Sequence, residues 1–345
     1  MMIFNLKSYP NGKFVMQNAS SKPHQSSHVP DIKSINPELK SINEYIRKNF
    51  ENSKLKKVVN VFQMTYMNDK SQGIGDFFRG SVYLTHLCEL LNVRFDIHLL
   101  NHPLHVCLLN QENEYESMQP DKIYAHIDKT NLRDAFLINF INELNACREE
   151  IAYVYCNYDP RFDIENPKHG IIHHARNIII PKIEPTENVL NVMDKKLAEI
   201  NVQRKQYRII HIRLGDHFMI KRECNHLKRI FQTHVNYIIN DFRNKLNKNE
   251  KYIIVGDNNI AKNIISNIFK NVCQFNTEII HLGEKNNINA MSERSLIDAF
   301  IDFCIIRYSR SVVSYSVYGH GSGFSKQCAH IYDVPFQQIL LHPQL

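Results

Sequence analysis

The sequence predicts an α/β protein built from two Rossmann-like domains that face each other across a cleft. The chain has 345 residues, a length that suits two domains or one large α/β unit. Its 43% hydrophobic and 22% charged residues are ordinary globular values and exclude wholesale disorder. From residue 58 onward, short β-prone runs alternate with helical patterns, which is typical of parallel sheets covered by helices.

Residues 1–55 are expected to form a polar N-terminal extension, because they are rich in Ser, Asn, Lys and Pro. A short helix near 37–50 is the one element predicted there. The first residues lack a continuous apolar leader, and no stretch of the sequence reaches the roughly 18–20 apolar residues that cross a bilayer. We therefore expect a cytoplasmic location and no membrane span.

Residues 56–205 form the predicted N-terminal, Rossmann-like domain. It opens with strand 58–62, a glycine turn at 71–76, a helix over 77–91 and a strand over 93–99, which together make one βαβ unit. Farther along, a helix at 136–144 and a strand at 151–155 are predicted.

Residues 206–345 form the predicted C-terminal, Rossmann-like domain, in which strands and helices alternate regularly. Because helices separate its strands, crossover connections and a parallel sheet are required. The predicted strands are 207–213, 252–255, 278–282 and 311–316; the predicted helices are 227–246, 260–269, 293–306 and 324–332.

The charge and the cysteines restrict the partners. A net charge of +7 over this length is weaker than the footprint of a nucleic-acid binder and fits a local pocket for an anion better. The eight cysteines include no CxxC pair, so buried reduced thiols are expected rather than zinc ligands or a disulfide scaffold. The histidines at 98, 102 and 105 and at 169, 173 and 174 lack matched ligands at helical spacing, and no metal site is expected.

Three polar motifs fall at strand ends, where open parallel sheets bind ligands. In the first, His211-Ile212-Arg213-Leu214-Gly215-Asp216-His217, an arginine follows a strand and can grip a diphosphate, unless an Arg213–Asp216 ion pair only fixes the loop. The second, residues 314–325, is a glycine- and serine-rich loop entering a helix, either an anion cradle or a plain flexible loop.

The third motif is Gln72-Gly73-Ile74-Gly75-Asp76-Phe77-Phe78-Arg79-Gly80. Gly73 and Gly75 permit a close approach of backbone to ligand, and Asp76 stands at the helix mouth, where it can also be a simple N-cap. The third glycine of the dinucleotide fingerprint and the Walker lysine are both missing, so NAD binding and a P-loop NTPase are disfavoured.

In this order the motifs resemble the GT-B fucosyltransferase superfamily, whose members use GDP-fucose. His211-x-Arg213-x-Gly215-Asp216 is similar to its HxRxGD-type motif and Gly73-Ile74-Gly75-Asp76 to its glycine loop. Ser322-Gly323-Phe324-Ser325 is similar to its late Ser-x-Phe-Ser element, and residues 252–257 to its strand-plus-Asp motif. The similarity covers roughly residues 58–336. It implies that residues 56–205 form the acceptor domain and residues 206–345 the nucleotide-sugar-binding domain.

The resemblance implies a role for each matching residue. Arg213 would hold the β-phosphate of GDP, and His211 would line the nucleotide pocket. Ser322, Phe324 and Ser325 would contact phosphate or nucleoside, and Gly73 and Gly75 would let the first domain close over the diphosphate. Asp298 would accept hydrogen bonds from guanine, or would simply lie on a helix surface.

The resemblance also implies an inverting, metal-independent transfer of fucose to a hydroxyl of a glycan or protein acceptor, with no cofactor besides the donor. Asp76 is the first candidate for the general base, followed by Glu223 and His217. No Asp-x-Asp motif occurs, which disfavours a metal-bridged GT-A enzyme. Two alternatives stay open: a GT-B transferase for another nucleotide sugar, and a non-catalytic binding or structural protein that retains the fold.

Overall fold

The computed structural model describes residues 50, 54–63, 73–100, 102–109, 125–127, 141–157, 176–215, 218, 225–275 and 293–341. In this part of the chain, nine strands form two sheets, and all the paired strands run parallel. The predicted class, a mixed α/β fold with parallel sheets, is confirmed. The domain limits at 55/56 and 205/206 stay a prediction.

The first sheet has four strands in the order β2-β1-β4-β3. Its elements are β1 (Lys57–Gln63), α1 (Ile74–Leu91), β2 (Arg94–Leu100), β3 (Ala125–Ile127) and β4 (Ile151–Cys156). The predicted βαβ unit and the strand at 151–155 are confirmed, whereas β3 was not expected. Residues 141–146 are helical, and the rest of the helix predicted at 136–144 lies outside the described residues, as does nearly all of 1–55.

The second sheet has five strands in the order β7-β6-β5-β8-β9, the 3-2-1-4-5 order of a Rossmann-type sheet. A helix, α2 (Glu187–Glu199), precedes it. The remaining elements are β5 (Tyr207–Arg213), α3 (Asn225–Lys245), β6 (Lys251–Gly256), α4 (Asn259–Ile268), β7 (Val272–Gln274), α5 (Glu293–Arg307), β8 (Val312–Ser316), α6 (Gly323–Tyr332) and β9 (Phe336–Leu340).

The second sheet differs from the prediction at two strands. The strand expected at 278–282 falls outside the described residues, and the third strand described, β7, lies just before it. The edge strand β9 was not predicted, so the sheet has five described strands. None of the helices described is both long and apolar enough to cross a bilayer.

The central strands are apolar along their length because both faces of each sheet are covered. Val58, Val59 and Val61 of β1 are 0% exposed, although they point to opposite faces. Such continuous burial explains why these strands read as apolar runs rather than as alternating patterns. Helices α1 and α6 pack against each other and so join the two sheets.

Candidate functional site

Arg213 ends strand β5 at the point where the order of the second sheet reverses. Strands β6 and β7 continue on one side of β5, and β8 and β9 on the other. Arg213 is in register with Ser316, the last residue of β8. Open parallel sheets bind ligands at this kind of switch point, beyond the carboxyl ends of the strands.

A carboxylate from the neighbouring strand holds Arg213 in place. Nη1 of Arg213 donates to Oδ2 of Asp257 at 2.7 Å, and the backbone N–H groups of Leu214 and Gly215 donate to the same carboxylate, each at 2.9 Å. Asp257 therefore orders the whole turn after β5. Asp216, considered from the sequence as the partner of Arg213, lies outside the described residues. Among the described residues, Asp257 forms an ion pair with this arginine.

His211 lies behind Arg213 in a buried cluster with two serines. The hydroxyl oxygens of Ser314 and Ser325 are 3.2 and 3.1 Å from Nδ1 of His211, and 3.3 Å from each other. Burial lowers the pKa of His211 to about 3, and the positive charge of Arg213 acts in the same direction. The imidazole is therefore neutral at physiological pH. His211 is 3% exposed, and its contacts with Ser314 and Ser325 connect β5 to β8 and α6.

Helix α6 begins at the same edge with free backbone donors. Its N-cap, Ser322, provides no side-chain capping bond, and the first intrahelical bond runs from the N–H of Lys326 to the carbonyl of Ser322. The N–H groups of Gly323, Phe324 and Ser325 thus start the helix without intrahelical partners, as in any first turn. The rings of Phe324 and His211 stack at 6.0 Å, so the Phe324 side chain packs inward while its N–H stays at the helix start.

The turn before α6 is fixed by strand β9. Gly321 has φ of +78°, a conformation that favours glycine, and a Cβ at this position would collide with Oε1 of Gln338. That amide oxygen also accepts the N–H of Ser322 at 3.4 Å, while Nε2 of Gln338 donates to the carbonyl of Ser314 at 2.9 Å. The Tyr318-to-Gly321 segment is therefore a defined turn.

The start of α1 meets the start of α6. A Cβ built on Gly75 would lie 2.5 Å from the carbonyl carbon of Gly323 and from the nitrogen of Phe324. No residue with a side chain fits at position 75 unless the two helices separate. Because the N-terminus of a helix carries partial positive charge, two of them in contact concentrate positive potential at one point.

Asp76 lies at this contact, in the first turn of α1. A Cβ on Gly323 would lie 3.4 Å from Oδ1 of Asp76, and Nη2 of Arg79 is 2.9 Å from the same oxygen. Arg79 also donates to the carbonyl of Asn157, after β4, at 2.9 Å. Arg79 offsets the charge of Asp76, whose side chain is 46% exposed. The carboxylate is thus both accessible and close to the α6 start.

Two further charged side chains, Lys262 of α4 and Asp302 of α5, lie behind Arg213 and Asp257. Lys262 of α4 is 1% exposed, and its Nζ donates to the carbonyl of Phe275 at 3.5 Å. Burial lowers the pKa of Lys262, while Asp302 and Asp257 oppose the shift. Burial raises the pKa of Asp302 to about 6 against the attraction of Lys262. Lys262 therefore interacts electrostatically with both Asp302 and Asp257.

Asp298, predicted to contact guanine, lies one turn before Asp302 on α5. Its Oδ1 accepts from Nζ of Lys196 at 3.0 Å, and the side chains are 17% and 20% exposed. The ion pair ties α5 to α2, so one carboxylate oxygen is already used within the protein. A hydrogen bond between Asp298 and guanine stays a prediction.

Of the predicted site residues, the structure brings together Gly73, Gly75, Asp76, Ser322, Phe324 and Ser325 at the helix contact, and His211 and Arg213 at the adjacent strand end. His217 and Glu223 lie outside the described residues, as do the histidines at 169, 173 and 174. Within the described ranges, no group of three His, Cys, Asp or Glu side chains is arranged to hold a metal ion.

Three residues of the site were not singled out from the sequence. The ring of Tyr318 lies 5.4 Å from Cζ of Arg213, Gln338 shapes the turn before α6, and Arg79 pairs with Asp76. Strand β9 has the sequence Phe-Gln-Gln-Ile-Leu, with no clear apolar pattern, so nothing marked Gln338 in advance. Nothing in the sequence pattern marked Tyr318 as the neighbour of Arg213.

No protein-family model matches the sequence, and no curated protein sequence matches it either. Among solved structures, an α-1,6-fucosyltransferase, NodZ, soaked with GDP-fucose is similar at a TM-score of 0.45 and 10% identity, over 80% of this chain and 92% of that chain. POFUT1 in complex with GDP is similar at 0.44 and 9% identity, over 84% and 100%.

A mutant of FUT1 from Arabidopsis thaliana in complex with GDP is similar at a TM-score of 0.48 and 10% identity, over 90% of this chain and 76% of that chain. These are fucosyltransferases, the superfamily that the sequence motifs resemble.

Proposed function

We propose that this chain is an inverting, metal-independent glycosyltransferase that transfers fucose from GDP-fucose to a hydroxyl group of a glycan or protein. The observation that carries the proposal is the contact between the starts of α1 and α6, next to Arg213 at the switch point of the second sheet. A diphosphate is a ligand whose negative charge this arrangement suits. The fucose and the guanosine rest on the motif resemblance.

The chemistry requires a site that stabilises a departing diphosphate. Helix N-termini offer fixed N–H donors that need no reorganisation as charge develops, and an arginine can add two parallel hydrogen bonds. Arg213 is held ready by Asp257, since a hydrogen bond from Nη1 fixes its plane. With these donors, the leaving group can be stabilised without a metal ion.

In the proposed reaction the acceptor hydroxyl attacks the anomeric carbon while the bond to the β-phosphate oxygen breaks on the opposite face. The acceptor proton passes to a carboxylate, for which Asp76 is our first candidate because it is accessible at the helix contact. Glu223 and His217 are the other candidates. Asp298 would accept hydrogen bonds from guanine through the oxygen not used by Lys196.

A thermal-shift screen with GDP-, UDP-, ADP- and CMP-sugars tests the proposed donor. We expect GDP-fucose and GDP to raise the melting temperature and the other nucleotides to have little effect. A shift with a different nucleotide sugar would support a transferase for that donor instead. The absence of any shift would favour a non-catalytic protein.

Calorimetry with GDP then tests the residue at the centre of the site. Hydrogen bonds to charged groups are worth about 1.5–3 kcal/mol, so Arg213→Ala is expected to weaken GDP binding roughly 10- to 100-fold. Arg213→Lys keeps the charge without the paired donors and should recover only part of the loss. Unchanged GDP affinity in Arg213→Ala would remove the diphosphate from this strand end.

A further inference from the structure

The end of the second sheet opposite Arg213 carries a row of cations, which we call the basic edge. All six members are exposed, and they come from the segments that lead into neighbouring strands: Lys205, Arg243, Lys248, Lys251, Lys270 and Arg310. Since all strands of this sheet are parallel, their N-terminal ends lie at one edge. Neighbouring strands are about 4.8 Å apart, so the cations before β7, β6, β5 and β8 span roughly 14 Å.

Few carboxylates balance this row. Glu250 accepts from Arg208 at 2.9 Å and lies 3.6 Å from Arg310, and Asp333 pairs with Arg176 at 2.9 Å. Asp194 pairs with Arg204 at 2.6 Å, and Asp241 pairs with Lys245 at 2.8 Å, so these carboxylates are matched by cations outside the row. In the part of the chain that the structure describes, Arg243, Lys248, Lys251 and Lys270 form no ion pair.

The concentration of charge exceeds what local helix electrostatics require. A helix dipole explains a cation such as Arg243 in the last turn of α3. It does not explain Lys248 in a loop or Lys251 at the start of a strand. The whole chain has a net charge of +7, and six cations lie along this one edge. Arg243, Lys248, Lys251 and Lys270 are therefore exposed cations without an ion-pair partner among the described residues.

The shape and the side chains of the edge indicate its partner. The cations form a row on the surface along the ends of four adjacent strands. Proteins that bind single-stranded nucleic acid also use exposed aromatic side chains, on which the bases stack. The described residues of this edge include no exposed aromatic side chain. Ile268, two residues before Lys270, is an aliphatic side chain that is 45% exposed. Cations beside an exposed aliphatic residue suit the headgroup region of a membrane.

We propose that the basic edge docks this protein on an anionic lipid surface. Because Arg213 lies at the opposite ends of the same strands, docking leaves the helix contact of α1 and α6 facing away from the lipid. The proposal is independent of the donor assigned above, since it uses none of the residues of that site.

Sedimentation of the full chain with vesicles tests the proposal directly. We expect binding to phosphatidylcholine vesicles that contain phosphatidylglycerol, no binding to phosphatidylcholine alone, and release at high salt because exposed charges are screened. Equal binding to both vesicles, or none to either, would overturn it. Binding of an oligonucleotide with no binding of vesicles would overturn it in favour of a nucleic-acid partner.

A matched pair of double variants separates the edge from overall charge. A lysine near an anionic surface contributes roughly fivefold to partitioning, so Lys248→Gln with Lys270→Gln is expected to reduce vesicle binding roughly 25-fold. The control, Lys228→Gln with Arg229→Gln, removes the same charge from the first turns of α3, roughly 25 Å from the C-terminal end of that helix. It should change binding less than about threefold; equal losses in the two variants would contradict the proposal.

Discussion

His211 is a buried, neutral histidine held by two serines next to the arginine of the site. Its pKa is lowered from 6.5 to about 3 in the folded protein, first by burial and then by Arg213. Below about pH 6.5 the unfolded chain therefore binds a proton that the folded chain does not. The free energy of unfolding falls as the pH falls from about 6.5 toward 3, by up to about 1.4 kcal/mol per pH unit for this residue.

The variant His211→Asn tests this origin of acid sensitivity, since an asparagine side chain keeps an acceptor near Nδ1 but does not titrate. Urea unfolding at pH 7, 6 and 5 should show a shallower loss of stability than in the wild type, whatever the stability at pH 7. A slope equal to that of the wild type would mean that His211 is protonated in the folded state.

A substitution at Asp76 tests the proposed chemistry most directly, because Asp76 is the first candidate for the general base. Removal of a general base slows a reaction typically 10²- to 10⁴-fold, so Asp76→Asn is expected to lower kcat by that order. Binding of GDP should be retained or strengthened, because the variant removes a negative charge at the helix contact. Steady-state rates and calorimetry measure the two effects separately.

The same assays on Glu223→Gln and His217→Gln provide the comparison. If Asp76→Asn keeps a rate within about threefold of the wild type while one of the other variants loses activity, the base is that other residue. Loss of GDP binding in Asp76→Asn would assign Asp76 to the structure of the helix contact instead.

Among the elements, the contact between α1 and α6 depends on residue 75 being glycine. Overpacking of a close contact costs typically 1–3 kcal/mol, so Gly75→Ala should destabilise the protein by that amount and weaken GDP binding as the helix starts separate. Gly319→Ala is a matched control, because a Cβ there has no atom within 4 Å. Denaturant unfolding and calorimetry on both variants measure the difference; equal effects would show that the contact is not required.

The elements also show how far the sequence predicts the fold. Helices such as α3 and central strands such as β5 are predicted correctly because their apolar residues repeat with the expected period, whereas helix α2 was not predicted. Short edge strands such as β3 and β9 are missed, since β9 is only half-buried and carries no clear pattern. Arg213 and Gly75 were predicted because strand ends and glycine loops are local features. The Asp257 partnership joins residues 44 positions apart, and no local pattern encodes it.

At the scale of the whole molecule, the two sheets share one proposed ligand site, with donors from α1 and α6. The N–H groups of residues 74–76 and 323–325 start these helices without intrahelical partners, so they exchange hydrogen readily unless a ligand covers them. A bound diphosphate should slow exchange at both segments together. At 100 times its Kd, the ligand should also raise the free energy of unfolding by about 2.7 kcal/mol.

Hydrogen exchange followed by mass spectrometry, with and without GDP, tests whether both halves hold the ligand. We expect protection of peptides covering the start of α1 and the start of α6, and no change at the end of α3, which lies at the opposite edge of the second sheet. Gly75→Ala should reduce the protection at α1 more than at α6, because α6 keeps Arg213 beside it. Protection confined to α6 would mean that the second sheet binds the nucleotide alone, and that the contact between the helices is a packing feature rather than part of the site.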